Sequence, residues 1–248
     1  MNRRDLLKGS LATGAALVGS AALPVLPARL AAQPRAGTPR DRALFDVAKR
    51  ELDRAGDAIW RRDIVGICDY GVHSARPRFY LVNLNREEVR SMHVSHGAGS
   101  DPEHDGWLNH YSNVEGSNAT SKGAYVTWEW YQGKYGTSVR LGGLDPTNDA
   151  ALRRYIVMHR AAYAEPSHLE RWGRMGRSNG CFAYGRADFR EILMNLSGGR
   201  LLYADSLGLQ EDGAMLSREQ QLALSKPNMQ MLKPENPTAM QRYVPGAF

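Results

Sequence analysis

The first long amphipathic pattern in the chain follows a Pro-, Gly- and Arg-rich stretch at residues 34–40. Apolar side chains then recur at helical spacing, with charged side chains mostly on the other surface; the apolar positions are Leu44, Phe45, Ala48, Leu52, Ala55 and Ile59. Thr38 and Pro39 supply an N-cap and a first helical position. The pattern therefore predicts a linker and an N-terminal helix within residues 34–61, lying against the main domain.

From Ile64 the pattern changes to short apolar or alternating runs, which are typical of strands. The predicted strands span residues 64–68, 79–84, 89–94, 125–131, 138–141, 155–158 and 201–204. The turn-rich segment 132–136 predicts an antiparallel hairpin. Short helices are predicted at 145–154 and 187–196, the second ended by Gly198 and Gly199. Residues 62–205 thus form a mainly β domain with a few helices.

The two ends of the chain have different compositions from this domain. Arg3 and Arg4 precede an apolar stretch that reaches Leu26 but is interrupted by small and polar residues. This pattern is typical of a twin-arginine export signal over residues 1–33, with a retained membrane anchor as the alternative and the cleavage site left open. It predicts a periplasmic or extracytoplasmic location. Residues 206–248, rich in Gln, Pro, Asn, Met and Lys, predict a loosely ordered C-terminal tail.

Charge and cysteine content exclude some classes of function. The formal net charge is +6, but four basic residues against one acidic residue within positions 1–33 supply half of it. No basic run is interleaved with aromatic residues, so we expect no nucleic-acid partner. Only Cys68 and Cys181 are present, which excludes a disulfide framework and allows at most one bridge. Nothing in the residues calls for a cofactor, and the oligomeric state is left open.

The segment Gly176–Cys181 carries the clearest candidate chemistry. A turn of small residues can present a thiol while aiming backbone N–H groups at a substrate carbonyl. Upstream, the run 155–159 delivers His159 at the end of a predicted buried strand. A thiol with a pKa near 8.5 is mostly protonated at neutral pH, so Cys181 needs this imidazole or a positive field, which Arg177 could supply, to become a thiolate. We expect a lowered pKa for Cys181 and faster alkylation than for Cys68.

The residues alone leave other interpretations open. A buried, inert thiol is common, and Cys68 in its apolar run is best explained in that way. A bridge between Cys68 and Cys181 would act as a redox switch. A metal site is conceivable among several titratable residues, although His93 and His96 point to opposite faces of one strand; these are His93, His96, Asp101, Glu103, His104 and His110. We predict no metal.

His159 and the motif Gly176-Arg177-Ser178-x-Gly180-Cys181 together resemble the active-site signature of the YkuD-type L,D-transpeptidases, in particular the murein L,D-transpeptidase catalytic-domain family. Other segments fit the family in the same order, at residues 95–100, 112–113, 116–117, 121–123 and 141–144. The resemblance covers roughly residues 62–205. It implies a YkuD-like β-sandwich catalytic domain.

The resemblance also implies roles for individual residues. Cys181 is the nucleophile and His159 the general base and acid. Ser178 and Gly180 shape the turn, and backbone N–H groups around Gly180 and Cys181 are the oxyanion donors. Arg177 is expected to bind a substrate carboxylate, for which a guanidinium is suited. His96, in a Gly- and Ser-rich segment, is expected to line the cleft.

Two departures from the family pattern concern the substrate pocket. Position 179 is Asn, where the wider family often has His, and residues 182–184 replace a commoner Pro-containing run. Asn179 is therefore expected to border the pocket and to influence substrate choice.

The predicted reaction is acyl transfer between peptidoglycan stem peptides, through a Cys181 thioester and with 3-3 cross-links as the product. If water resolves the thioester, the same residues make an L,D-carboxypeptidase or endopeptidase. A non-catalytic wall-binding module is the further alternative.

Overall fold

The computed structural model describes residues 37–216. Three α-helices occur in this part of the chain: α1 (Pro39–Ala55), α2 (Pro166–Trp172) and α3 (Arg186–Leu196). Ten strands are found there as well. They are β1 (Ile64–Asp69), β2 (Phe79–Asn83), β3 (Glu88–Met92), β4 (His96–Gly97), β5 (Gly123–Gly133), β6 (Gly136–Gly143), β7 (Val157–Arg160), β8 (Arg177–Ser178), β9 (Phe182–Tyr184) and β10 (Leu201–Asp205). The predicted mainly β fold with an N-terminal helix is confirmed.

Eight strands form one sheet in the order β3-β2-β1-β10-β5-β6-β7-β9, and β4 pairs with β8 in a separate two-stranded sheet. β1 and β10 are parallel, as are β7 and β9 and the β4–β8 pair, whereas the other neighbours are antiparallel. The predicted hairpin joins β5 to β6 through Lys134 and Tyr135, since Gly133 pairs with Gly136.

The sheet buries apolar side chains on both of its faces. Along β1, Val65 and Ile67 join the apolar residues of α1 in one cluster. Ile64 and Cys68 alternate with them and join the apolar residues of α3 in the other. The large sheet therefore lies between α1 and α3, which makes it a rigid support for residues at its far edge, where β7 and β9 lie.

α1 begins as the sequence predicts. Thr38 accepts a hydrogen bond from the Asp41 amide, and the Asp41 carboxylate accepts one from the Thr38 amide, which is a capping box with Pro39 as the first helical residue. The helix ends at Ala55 because Gly56 adopts a positive φ of 54°. Ile59, predicted on the same apolar stripe, lies beyond the helix but is still buried.

Several local predictions were wrong. Residues 146–155 form successive turns instead of a helix. The Asn148 side chain accepts from the Asp145 amide and donates to the Ala124 carbonyl, so it competes with helical backbone bonding. The strand predicted at 155–158 is β7, displaced by two residues, so His159 lies within a strand. β4, β8, β9 and α2 were not predicted, because each is too short to show a period.

Residues 206–216 continue beyond β10 and pack against the sheet, with Leu207 and Leu209 buried. The buried Asp69 carboxylate accepts four backbone N–H groups, from Gly71, Leu207, Gly208 and Leu209. The rest of the predicted tail and the predicted export signal lie outside the described residues. Within residues 37–216, no helix has the length and apolar character needed to cross a membrane.

Candidate active site

Cys181 lies in the turn between β8 and β9. Gly180 has a φ of 106°, and a Cβ at this position would lie 2.7 Å from the Ala119 carbonyl oxygen, so only glycine fits. The Ser178 hydroxyl donates to the Cys181 carbonyl at 2.6 Å and accepts from the Gly180 amide at 3.1 Å. Ser178 and Gly180 therefore hold the turn. Because the Gly180 amide is already bonded, the Cys181 amide is the stronger candidate for an oxyanion donor.

His159 lies on β7, which is parallel to β9 and pairs His159 with Ala183. Alternate residues of a strand share one face, so Cys181, two residues before Ala183, emerges on the same face as His159. Tyr135, at the tip of the β5–β6 hairpin, is close to both. Its ring stacks on the imidazole, with the two ring centroids 4.6 Å apart. Burial, followed by the charge that Cys181 carries when it is ionised, raises the pKa of the Tyr135 hydroxyl.

The protonation state of His159 follows from its partners. Nδ1 lies 2.9 Å from the Arg160 carbonyl oxygen, which can only accept, so Nδ1 carries the proton and Nε2 the lone pair. The side chain is 2% exposed, and burial lowers the pKa of the imidazole, against the opposing effect of the Arg160 carbonyl. His159 is thus a neutral imidazole at neutral pH, with Nε2 free to accept a proton.

The thiol of Cys181 is also neutral at rest. Burial raises its pKa to about 11, opposed by a hydrogen bond from the Val157 backbone and by the charge of Arg154. The sulfur donates to the Tyr155 carbonyl at 3.6 Å. The expected lowering of the Cys181 pKa is therefore wrong for the protein without substrate, because the thiol of this buried residue loses more solvation than its neighbours replace.

Two residues of this site were missed from the sequence. Tyr155 is 83% exposed and has a φ of 54°, a left-handed conformation that is unusual for a bulky residue. It directs its carbonyl at the thiol, and no pattern in the chain marks it. Arg154 was assigned only to a helix, although its guanidinium lies beside the Gly180–Cys181 turn.

The three predicted substrate-binding residues occupy different environments. Asn179 is exposed at the tip of the turn. Arg177 is half-buried and donates to the backbone carbonyls of Asp101 and Pro102. His96 is 1% exposed, and both of its ring nitrogens have partners inside the protein. Asn179 alone has an exposed side chain at the turn.

His96 belongs to a buried polar cluster with Arg78 and Asp101. Arg78 can only donate, so Nδ1 of His96 accepts from it at 2.9 Å and Nε2–H donates to Asp101 at 3.0 Å. Burial, reinforced by the charge of Arg78, lowers the pKa of His96 to about 4, so a neutral imidazole donates to the ionised Asp101 carboxylate, whose own pKa is lowered. Because the backbone of His96 pairs with Arg177, the cluster supports the strand that leads into the Cys181 turn.

Neither of the other sequence hypotheses is realised in the described part of the chain. No group of three or more His, Cys, Asp or Glu side chains there could hold a metal ion. Cys68 and Cys181 are both free thiols. Cys68 is fully buried on β1, and burial raises its pKa to about 12.

A sequence profile for the L,D-transpeptidase catalytic domain matches residues 40–204. This chain belongs to that family. The family assignment confirms the resemblance that His159 and the Gly176–Cys181 motif indicated. The matched residues include side chains on both faces of the large sheet and the candidate site at its edge. No curated protein sequence matches the chain.

Several solved structures are similar to the chain at low sequence identity. An L,D-transpeptidase from Mycobacterium smegmatis is 15% identical with a TM-score of 0.35, over 58% of this chain and 58% of that chain. One from Mycobacterium tuberculosis is 15% identical with a TM-score of 0.36, over 58% and 57%. The helical cell shape determining protein Pgp2 from Campylobacter jejuni is 14% identical with a TM-score of 0.38, over 73% and 60%. The chain spans less than two thirds of each.

Proposed function

We propose that this member of the L,D-transpeptidase family is an exported cysteine acyltransferase that forms 3-3 cross-links between peptidoglycan stem peptides. The observation that carries the proposal is that a neutral Cys181 thiol, held in a rigid turn, and a neutral His159, whose Nε2 carries the lone pair, lie on the same face of the paired strands β7 and β9. Family membership supports a peptide acyl donor.

In the first step, His159 Nε2 takes the thiol proton as the Cys181 sulfur bonds to the carbonyl carbon of the third residue of a tetrapeptide. The Cys181 amide stabilises the developing oxyanion. The bond to the terminal D-alanine then breaks, and its nitrogen takes the proton from the imidazolium. A thioester on Cys181 and free D-alanine are the products of this step.

In the second step, the amine of an acceptor peptide attacks the thioester while His159 removes a proton from it. The C–S bond breaks, the new amide forms, and the proton returns to the thiolate. A neutral thiol and a neutral imidazole suit the first proton transfer, because both groups start from the form that dominates near neutral pH.

Hydrolysis is the alternative outcome at the same site, because water in place of the amine yields a tripeptide. The product therefore distinguishes a transpeptidase from an L,D-carboxypeptidase. The predicted export signal would place the enzyme outside the cytoplasm, where peptidoglycan is found.

Mass analysis of purified wall tetrapeptides after incubation with the protein tests the proposal. We expect D-alanine release and cross-linked dimers from the wild type and from Cys68→Ala, and neither product from Cys181→Ala. Tripeptide without dimers would establish a hydrolase. Equal products from Cys181→Ala and the wild type would refute the proposal.

A further inference from the structure

Arg154 lies beside the turn that carries Cys181, and it forms hydrogen bonds but no ion pair within residues 37–216. One terminal nitrogen of its guanidinium lies 3.1 Å from the position that a Cβ would take on Gly180. Its charge is the one that acts on the Cys181 thiol. The side chain is half-buried, between the 112–120 segment and the Gly180–Cys181 turn.

The hydrogen-bond partners of Arg154 are all neutral. The guanidinium donates to the Ser112 carbonyl at 2.8 Å, to the Ala119 carbonyl at 2.5 Å and to the Ser117 hydroxyl at 3.4 Å. In contrast, other arginines of the described chain, such as Arg54 and Arg200, form ion pairs with carboxylates. Within residues 37–216, no carboxylate lies within ion-pair distance of Arg154.

The exposed Glu115 acts on Arg154 only through its charge and forms no ion pair with it. A half-buried cation without a paired carboxylate carries a desolvation cost that a directly bound anion would offset. Arg177, to which the family resemblance assigned this role, donates to backbone carbonyls of the 101–102 segment, and the charge that acts on the Cys181 thiol is that of Arg154 and not that of Arg177. The terminal D-residue of a stem peptide has a carboxylate one residue from the scissile bond, and a fork-shaped guanidinium suits such a group.

We propose that Arg154 binds the carboxylate of the residue that follows the scissile bond, and thereby makes the enzyme select acyl donors with a free C-terminal carboxylate over donors that continue or are blocked there. The proposal rests on the proposed function for the identity of the donor. The recognition of an anion beside Cys181 stands independently of it.

Two alkylating reagents of similar size test the anion site without any peptide. Iodoacetate carries a carboxylate and iodoacetamide does not, so the ratio of the iodoacetate rate to the iodoacetamide rate at Cys181 reports selection for a negative charge. Both reagents react with the same thiolate, so the ionised fraction of the thiol cancels in this ratio. In the wild type we expect this ratio to exceed that of free N-acetylcysteine. A ratio at or below the free-thiol value would overturn the proposal, whatever happens to any variant.

Arg154→Gln should lower the iodoacetate-to-iodoacetamide ratio about tenfold, the size of one charge-assisted hydrogen bond. Arg154→Lys should retain part of the selection. The matched control is Arg153→Gln, which removes the same charge from an exposed neighbour and should leave the ratio unchanged. An unchanged ratio in Arg154→Gln, or an equal fall in Arg153→Gln, would contradict the inference.

The peptide version of the experiment compares a tetrapeptide with its C-terminal amide. The wild type and Arg153→Gln should prefer the free acid in kcat/KM, and Arg154→Gln should lose about tenfold of that preference. A retained preference in Arg154→Gln would refute donor selection by Arg154. If Cys181 selects iodoacetate over iodoacetamide but no peptide is turned over in a Cys181-dependent way, the proposed function is refuted and the anion site is still supported.

Discussion

At the scale of single residues, the site is organised around uncharged reactants. The Cys181 sulfur faces the Tyr155 carbonyl, and His159 has its Nδ1 proton committed to the Arg160 carbonyl. A thiolate formed before substrate binds would be repelled by the Tyr155 carbonyl oxygen and would be poorly solvated in its buried position. In the proposed mechanism the thiol therefore loses its proton during attack on the substrate instead of before it.

This arrangement predicts the pH dependence of thiol alkylation. With a pKa of about 11, the thiolate fraction of Cys181 is small at neutral pH. Its alkylation by iodoacetamide should therefore rise about tenfold per pH unit between pH 7 and 9. Peptide mapping after timed alkylation measures this for Cys181, with the more deeply buried Cys68 as an internal control. A plateau between pH 6 and 8 would show instead a thiolate–imidazolium pair at rest.

At the scale of elements, the tip of the β5–β6 hairpin covers the imidazole of His159, the proposed base. The stacked ring of Tyr135 contributes to the burial that lowers the pKa of His159. Tyr135→Ala should expose the imidazole and raise its pKa toward the ordinary value of about 6.5, moving the acid limb of the kcat/KM profile to higher pH. NMR titration of the His159 ring protons measures the pKa directly.

Tyr135→Phe is the matched control, because it keeps the stacked ring and removes only the hydroxyl. The His159 pKa should stay at its wild-type value in this variant. Equal pKa values for His159 in Tyr135→Ala and the wild type would show that the hairpin does not set the protonation of the base.

The sequence predicted those elements whose signal is local. The start of α1 follows from Thr38, Pro39 and Asp41, and the hairpin follows from the glycines that flank its two-residue loop. The pairing of β4 with β8, and the parallel pairing of β7 with β9, bring together residues far apart in the chain through strands of two to four residues. Such short strands carry no detectable period, so their partners could not be predicted.

The same limit applies to the site. The small-residue turn and the upstream imidazole made Cys181 and His159 identifiable from residue types. In contrast, the orientation of Arg154 and Arg177 depends on which backbone carbonyls lie near each guanidinium. That information exists only after the 101–120 region has folded against the Cys181 turn.

At the scale of the whole molecule, several buried histidines make stability depend on pH. Burial lowers the pKa of His96 and of His104 to about 4. Between that value and about 6.5, the unfolded chain binds more protons than the folded one, so the free energy of unfolding falls as pH decreases through this window. At the acidic end of this window, each of the two histidines has lowered the free energy of unfolding by up to about 3 kcal/mol.

Urea denaturation at pH 7 and pH 4.5 should therefore give a markedly lower free energy of unfolding at pH 4.5. His96→Gln should reduce the difference between the two pH values, whatever its effect on stability at pH 7. The exposed His110 provides the control, since His110→Gln should leave the difference unchanged. Equal stability of the wild type at both pH values would contradict the neutral, buried state of these side chains.

The central claim is that Cys181, with His159 as its base, forms a thioester with the acyl donor. Intact-protein mass analysis after rapid acid quenching of a reaction with tetrapeptide tests it most directly. The account predicts a mass gain equal to the tripeptide acyl group, mapped to Cys181, absent in Cys181→Ala and strongly reduced in His159→Ala. Cross-linking or hydrolysis at the wild-type rate in Cys181→Ala, or an acyl adduct on another residue, would contradict it.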